Sequence, residues 1–223
     1  MSSLLGMLLG LAVGLRHAFE PDHLTAIATL ASEARGARRG AMLGALWGLG
    51  HTASLVAVGV ILLGVGAVMP SRVAAWFELG VCAMLVVLGV RAMVRAWRQG
   101  GAGPVHVHSH RGHAHFHAGV ARHVHLRGRV VAVRPLLVGL VHGLAGSGAL
   151  TALVFAELKG NVARVAYISL FGAGSVIGMA IASALVGASV HRLDRGQRWL
   201  GLGAGALSVG LGIAWSLPLW SLA

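Results

Sequence analysis

Six long apolar runs, at positions 4–32, 41–69, 73–97, 135–157, 163–190 and 199–221, alternate with polar connections rich in arginine. Each run reaches the roughly 20 residues that an α-helix needs to cross the hydrocarbon core of a bilayer. The pattern predicts an all-α, polytopic membrane protein with six transmembrane helices. It divides into a first three-helix unit (1–99), a connecting loop (100–133) and a second three-helix unit (134–223). Composition agrees, with 57% hydrophobic residues, 11% charged and a mean hydropathy of +0.80. A soluble domain carries about a quarter charged residues.

The formal charge of +12 is not spread as a nucleic-acid-binding surface requires, so no nucleic-acid partner is expected. Arginines 35, 38 and 39 fall in the first connection, eight between 91 and 134 lie in or beside the third, and 192, 195 and 198 lie in the fifth. The second and fourth connections hold only Arg72, Lys159 and Arg164. Odd-numbered connections share one side of the membrane, and positive charge marks the cytoplasmic side. The expected setting is the cytoplasmic (inner) membrane with both termini outside. Met1–Leu15 lacks a positive leading region and reads as the start of the first span, not as a cleaved signal. The single cysteine, Cys82, excludes an intramolecular disulfide framework and reads as a packing residue.

One stretch breaks the apolar rule. Gly14–Ile27, G-L-R-H-A-F-E-P-D-H-L-T-A-I, places Arg16, His17, Glu20, Asp22 and His23 inside the first span. Ionisable groups there cost several kcal/mol unless paired or facing a polar cavity, which makes them candidates for function. On an unbroken helix His17 and the Asp22–His23 pair point to different faces. Pro21 lacks an N–H, and its ring clashes with the carbonyl of His17, four residues back, so the helix is expected to open between His17 and Pro21. Such broken spans line transporter sites at the membrane midplane. Two imidazoles and a carboxylate suit a divalent first-row metal such as Ni, Co or Zn. The plainer alternative is a kinked structural helix with Arg16 paired to Glu20 and His17 to Asp22.

The halves resemble each other. Gly14-Leu15-Arg16-His17 recurs as Gly139-Leu140-Val141-His142, Thr25-Ala26 as Thr151-Ala152, Gly48-x-Gly50-His51 as Gly172-x-Gly174-Ser175, and Trp76, Gly80, Leu88, Gly89 as Trp199, Gly203, Leu211, Gly212. With three spans in each half, the repeats must be inverted across the membrane, a recurrent secondary-transporter design with its site at the repeat interface and broken helices at matching positions. Ala145-Gly146-Ser147-Gly148 is then the counterpart of Glu20-Pro21-Asp22-His23. His51, in W-G-L-G-H-T, and His142, by the repeat, compete as the ligand that completes the set of His17, Asp22 and His23. Glu78 and Glu157 lie near span ends and read as solvated or interfacial.

Between Gly100 and Val133 the composition shifts to Gly, Arg and eight histidines, His106, His108, His110, His113, His115, His117, His123 and His125. A His-rich, low-complexity tract reads as a flexible auxiliary metal-binding segment. Neutral imidazoles at this density bind Ni, Cu or Zn.

The motifs R-H-A-F-E-P-D-H at 16–23, L-G-H-T at 49–52 and G-L-V-H-G-L-A-G-S-G at 139–148 resemble the nickel/cobalt transporter (NiCoT) superfamily, whose hallmark is H-x4-D-H in one span and L-G-H-[ST] in the next. The H-A-x-E-P-D-H form is most similar to members described as urease-accessory or high-affinity nickel transport proteins. The resemblance implies that His17, Asp22, His23 and His51 line the metal path, with Ni²⁺ or Co²⁺ as transported substrate and no resident cofactor. It departs from the commoner A-D-A-D-H form and from the eight spans of long members, so metal preference and direction stay open. Beside uptake, the readings are efflux of the same metals, a membrane chaperone handing nickel to a cytoplasmic chaperone or to urease or hydrogenase assembly proteins, and an intramembrane metalloenzyme. The last is disfavoured because H-E-x-x-H is absent. No Walker motif is present, so coupling to ATP would need another chain.

The arginine asymmetry makes a direct prediction. Reporter fusions after Gly100 and at Ala223 should report cytoplasm and exterior respectively, and the reverse pattern would overturn the topology.

Overall fold

In a computed structural model the described residues are 3–31, 36–98, 106–110, 113–117, 123–126, 129–158, 160–192 and 197–221. They form α1 (Ser3–His17), α2 (Pro21–Ala31), α3 (Ala37–Val65), α4 (Ser71–Arg98), strands β1 (His106–His110), β2 (His113–His117), β3 (His123–Leu126) and β4 (Arg129–Ala132), then α5 (Val133–Glu157), α6 (Asn161–Arg192), α7 (Gln197–Ser216) and a 3₁₀ turn at Leu217–Ser221. Four helical stretches, Ala37–Val65, Ser71–Arg98, Asn161–Ser189 and Arg198–Trp220, are long and apolar enough to cross a membrane.

The first apolar run is two helices, not one. At the end of α1 the backbone tightens, with Phe19 N–H donating to Arg16 O (2.9 Å) and Glu20 N–H to His17 O (3.1 Å). Pro21 would have faced that His17 carbonyl, but without an N–H it cannot use it. It opens α2 instead, at the first helical position where a missing donor costs nothing, and Leu24 N–H restarts the ladder on Glu20 O (2.9 Å). With 15 and 11 residues, neither half alone reaches membrane-spanning length.

The expected matching break in the second half is not found: α5 runs as one helix from Val133 to Glu157. The reason lies in composition, since Ala145-Gly146-Ser147-Gly148 carries no proline and keeps every backbone donor. The 100–133 connection, expected to be a flexible segment of low complexity, contains regular structure. Its described residues form two antiparallel hairpins, β1–β2 and β3–β4. Histidine alternates with Val, Ser, Ala or Phe there, which is a strand period of two that composition alone hides. The register pairs His106 with His117, His108 with His115 and His110 with His113. The side chains of the eight loop histidines, of Ser147, Gly148 and Glu157, and all of Lys159 lie outside the described residues.

Helix α3 packs on both α5 and α6, α1 on α6, and α4 on α7. Glycines set the closest approaches. A Cβ at Gly139 would run into the Trp47 carbonyl, and one at Gly143 into that of His51, so α5 lies backbone to backbone on α3, as small residues permit between membrane helices. Polarity is distributed opposite to that of a soluble protein. Leu9, Met42, Val60, Ile61, Val87, Ile177 and Leu185 face outward, while His23, Thr25, Thr29, His51, Ser54, His142, Ser175 and Ser208 are buried. An apolar exterior around a polar interior is what a hydrocarbon solvent demands, because each unsatisfied polar group facing it costs several kcal/mol. The chain is an integral membrane protein of the all-α class, with the hairpins as its β exception.

The break at Pro21 yields a prediction. Pro21→Ala restores the missing N–H, lets α1 and α2 merge and turns His17 away from Asp22 and His23. Its affinity for Ni²⁺ should fall about tenfold or more in calorimetry on the detergent-solubilised protein. Wild-type affinity would mean that the break is not needed.

Candidate metal centre

Five sequence-predicted residues meet in one place. His17 arrives at the last turn of α1, Asp22 and His23 on the first turn of α2, His51 from the middle of α3 and His142 from α5. His17, His23 and His51 offer ring nitrogens that all lie within 4.8 Å of one another, and Asp22, His23 and His142 form a second such set. His23 is common to both. Its ring centroid lies 4.3 Å from that of His17, 5.3 Å from His51 and 4.2 Å from His142. His51 and His142, rivals for one place in the sequence, are both present, 5.9 Å apart by ring centroid.

The carboxylates hold these rings. Asp22 Oδ1 lies 2.9 Å from His23 Nδ1 and Oδ2 lies 2.8 Å from His142 Nε2. Glu20 Oε2 sits 2.9 Å from His17 Nδ1. The pairings Arg16–Glu20 and His17–Asp22 that a purely structural kink would use are replaced by these. Thr25 Oγ1 donates to Asp22 O (3.0 Å) and braces the turn that carries the aspartate.

His23, His51 and His142 are almost completely buried, at 1%, 0% and 2% exposure. Yet His23 Nε2, both nitrogens of His51 and His142 Nδ1 find no hydrogen-bond partner among the described residues. A buried nitrogen left unpaired costs about 1–3 kcal/mol. Four of them on three neighbouring rings are poor structure and a good nest for a cation. A magnesium- or calcium-type site would present oxygens; this nitrogen-rich set suits Ni, Co, Cu or Zn.

The residues border a cavity of about 340 Å³. Its far wall is α4 and α7, through Glu78, Val81, Cys82 and Trp215, and the 3₁₀ turn closes one side with Pro218 and Leu219. Glu78 is exposed, as its place near a span end predicts, and also borders this cavity. Cys82 is buried, in line with a packing role, although it too borders the space. Sequence reasoning did not single out Trp47 and Phe171. Trp47 packs 5.5 Å from His23 and 5.6 Å from His142, and Phe171 lies 5.1 Å from His17. For Trp47 a signal existed: it stands four residues before His51, on the same helical face.

No family model and no solved structure matches the chain. Among curated proteins it is similar to the urease accessory protein UreH of Bacillus sp. (strain TB-90), 30% identical over 179 residues that cover 80% of this chain and 75% of the relative. With that extent of identity, added to the H-x4-D-H and L-G-H-T elements that meet in one cluster, the chain belongs to the UreH family of urease accessory proteins, the branch of the nickel/cobalt transporter superfamily that its motifs resemble.

Proposed function

We propose that this protein carries Ni²⁺ or Co²⁺ across the cytoplasmic membrane as a secondary transporter, binding the ion near the midplane among His17, Asp22, His23, His51 and His142. The observation that carries the reading is the convergence of these residues from both halves of the chain, with unpartnered buried nitrogens. The UreH relationship supports a role in metal transport or in urease assembly, and the family name is that of an accessory protein, not of an enzyme. Nickel destined for a cytoplasmic urease chaperone fits both.

The six-span, 3+3 inverted arrangement, with units 1–99 and 134–223 joined by the 100–133 loop, is part of the proposal. It draws support from contacts that recur between corresponding positions. Gly14 abuts the Phe171 carbonyl, as Gly139 abuts that of Trp47. Gly174 abuts the Leu11 carbonyl, as Gly50 abuts that of Leu136. Gly89 meets Gly205 O, and its counterpart Gly212 meets Cys82 O. Each pairing exchanges a residue with its repeat partner, which is what a pseudo-two-fold axis through the site requires. The termini then lie outside and the His-rich hairpins inside.

Uptake and efflux of radioactive nickel and cobalt in cells with and without the protein test the reading and its direction. His17→Ala, Asp22→Asn and His23→Ala should each abolish transport while the protein stays in the membrane, since losing one member of a small ligand set also misplaces the others. A variant that transports as wild type removes its residue from the site. No metal flux in either direction would leave the chaperone reading.

The hairpin loop is separate from the midplane site and raises the local concentration of metal at the inner mouth, as a tethered module does for a second site. Deleting Val105–His125 should leave transport intact in capacity but change its dependence on metal concentration. The difference should shrink as pH falls through the histidine range near ~6.5, where protonated imidazole stops binding metal. Loss of all transport in correctly inserted protein would place the loop in the translocation path.

A further inference from the structure

Which atoms touch the ion follows from which atoms are already engaged. A carboxylate accepts hydrogen bonds and does not donate them, so each ring nitrogen that faces one must carry the proton. On that ground His23 is protonated at Nδ1, His142 at Nε2 and His17 at Nδ1. Their lone pairs then sit on His23 Nε2, His142 Nδ1 and His17 Nε2. Two of these, His23 Nε2 and His142 Nδ1, are among the buried nitrogens without a partner, together with both nitrogens of His51. Asp22 is in the opposite condition. Each of its oxygens already accepts from one histidine, so a metal bound there would share that oxygen with a ring N–H and weaken the bond that orients the ring.

We infer that the ion is held by imidazole nitrogens alone, from His17, His23, His51 and His142, and that Asp22 is a positioning residue that sets the tautomer and angle of two of them at once. This rests on the transport reading and refines it. Glu20 does for His17 what Asp22 does for the other two, so the pattern is the carboxylate–histidine–metal arrangement seen where an outer partner orients a ligand. The charge is also in order. Two carboxylates held one bond away from the ligand rings offset the +2 of a divalent ion without entering its coordination sphere. A neutral nitrogen set further discriminates against Mg²⁺ and Mn²⁺, which prefer oxygen, and these ions should not compete for the site at millimolar excess.

The test is nickel K-edge X-ray absorption on the full-length, detergent-solubilised protein loaded with Ni²⁺, where scattering from imidazole rings counts the histidines bound. Wild type should show four imidazoles and no carboxylate oxygen from Asp22. Asp22→Asn should bind Ni²⁺ about 10- to 100-fold more weakly with the same four-imidazole spectrum, because the amide still accepts from one ring but no longer from both. His142→Ala should lose one imidazole. Fewer than four imidazoles in wild type, or a spectrum that loses an oxygen ligand in Asp22→Asn, would overturn the assignment. The wild-type count decides even if a variant fails to fold. Wild-type protein that takes up no Ni²⁺ would sink the transport reading itself, a different failure from Ni²⁺ bound through Asp22.

Discussion

The Asp22 carboxylate is the joint on which the site depends. It reaches His23, its neighbour in sequence, with one oxygen, and His142, 120 positions away on α5, with the other. A charged hydrogen bond contributes about 1.5–3 kcal/mol, and a partner left alone in a buried place costs more than the bond contributes. The two parts of the chain are thereby tied where the environment is least forgiving. Asp22 takes this position only because α1 stops at His17 and α2 begins at Pro21, so a single imino acid in the first apolar run decides how His17, Asp22 and His23 come together.

Around that joint the packing is made to let backbones touch. Gly139 and Gly143 seat α5 against α3 beside Trp47 and His51, and Ser54 Oγ donates to Leu140 O (2.6 Å) across the same contact. On the other side of α3, Thr52 Oγ1 donates to Gly172 O (3.0 Å), and Ser175 Oγ reaches Gly14 O (3.2 Å). These hydroxyls bond carbonyls of neighbouring helices, the usual device where lipid offers no alternative partner. Within this close packing both nitrogens of His51 and Nδ1 of His142 stay buried without a partner among the described residues, while His142 Nε2 is held by Asp22.

The two proposed repeats do not share a chemistry. The first carries proline, aspartate and two histidines at the break; the second has an unbroken α5 and supplies one imidazole, His142. In the proposed repeat His51 corresponds to Ser175, which is buried and hydrogen-bonded to Gly14.

Much of this was legible in the chain before any fold was known. Apolar runs of spanning length fix the class, because a bilayer accepts little else. H-A-F-E-P-D-H announces both the break and the cluster of ionisable side chains beside it, since Pro21 acts on its own helix and ionisable residues in an apolar run call for partners or a cavity. What the sequence left open was whatever depended on neighbours far along the chain. His51 and His142 looked like rivals because linear order cannot say that α3 and α5 bring both to the same point. That Asp22 also holds a ring from the other half, His142 on α5, is something nothing local reveals. Glu78 looked interfacial by its place in the run, yet it borders the cavity because α4 crosses beside it. The hairpins are written in the alternation of histidine with Val, Ser, Ala or Phe, a period of two that composition hides. Local rules act through bonds and the next turn of helix; partners at a site are chosen by packing, and packing is decided only when the helices have been laid against one another.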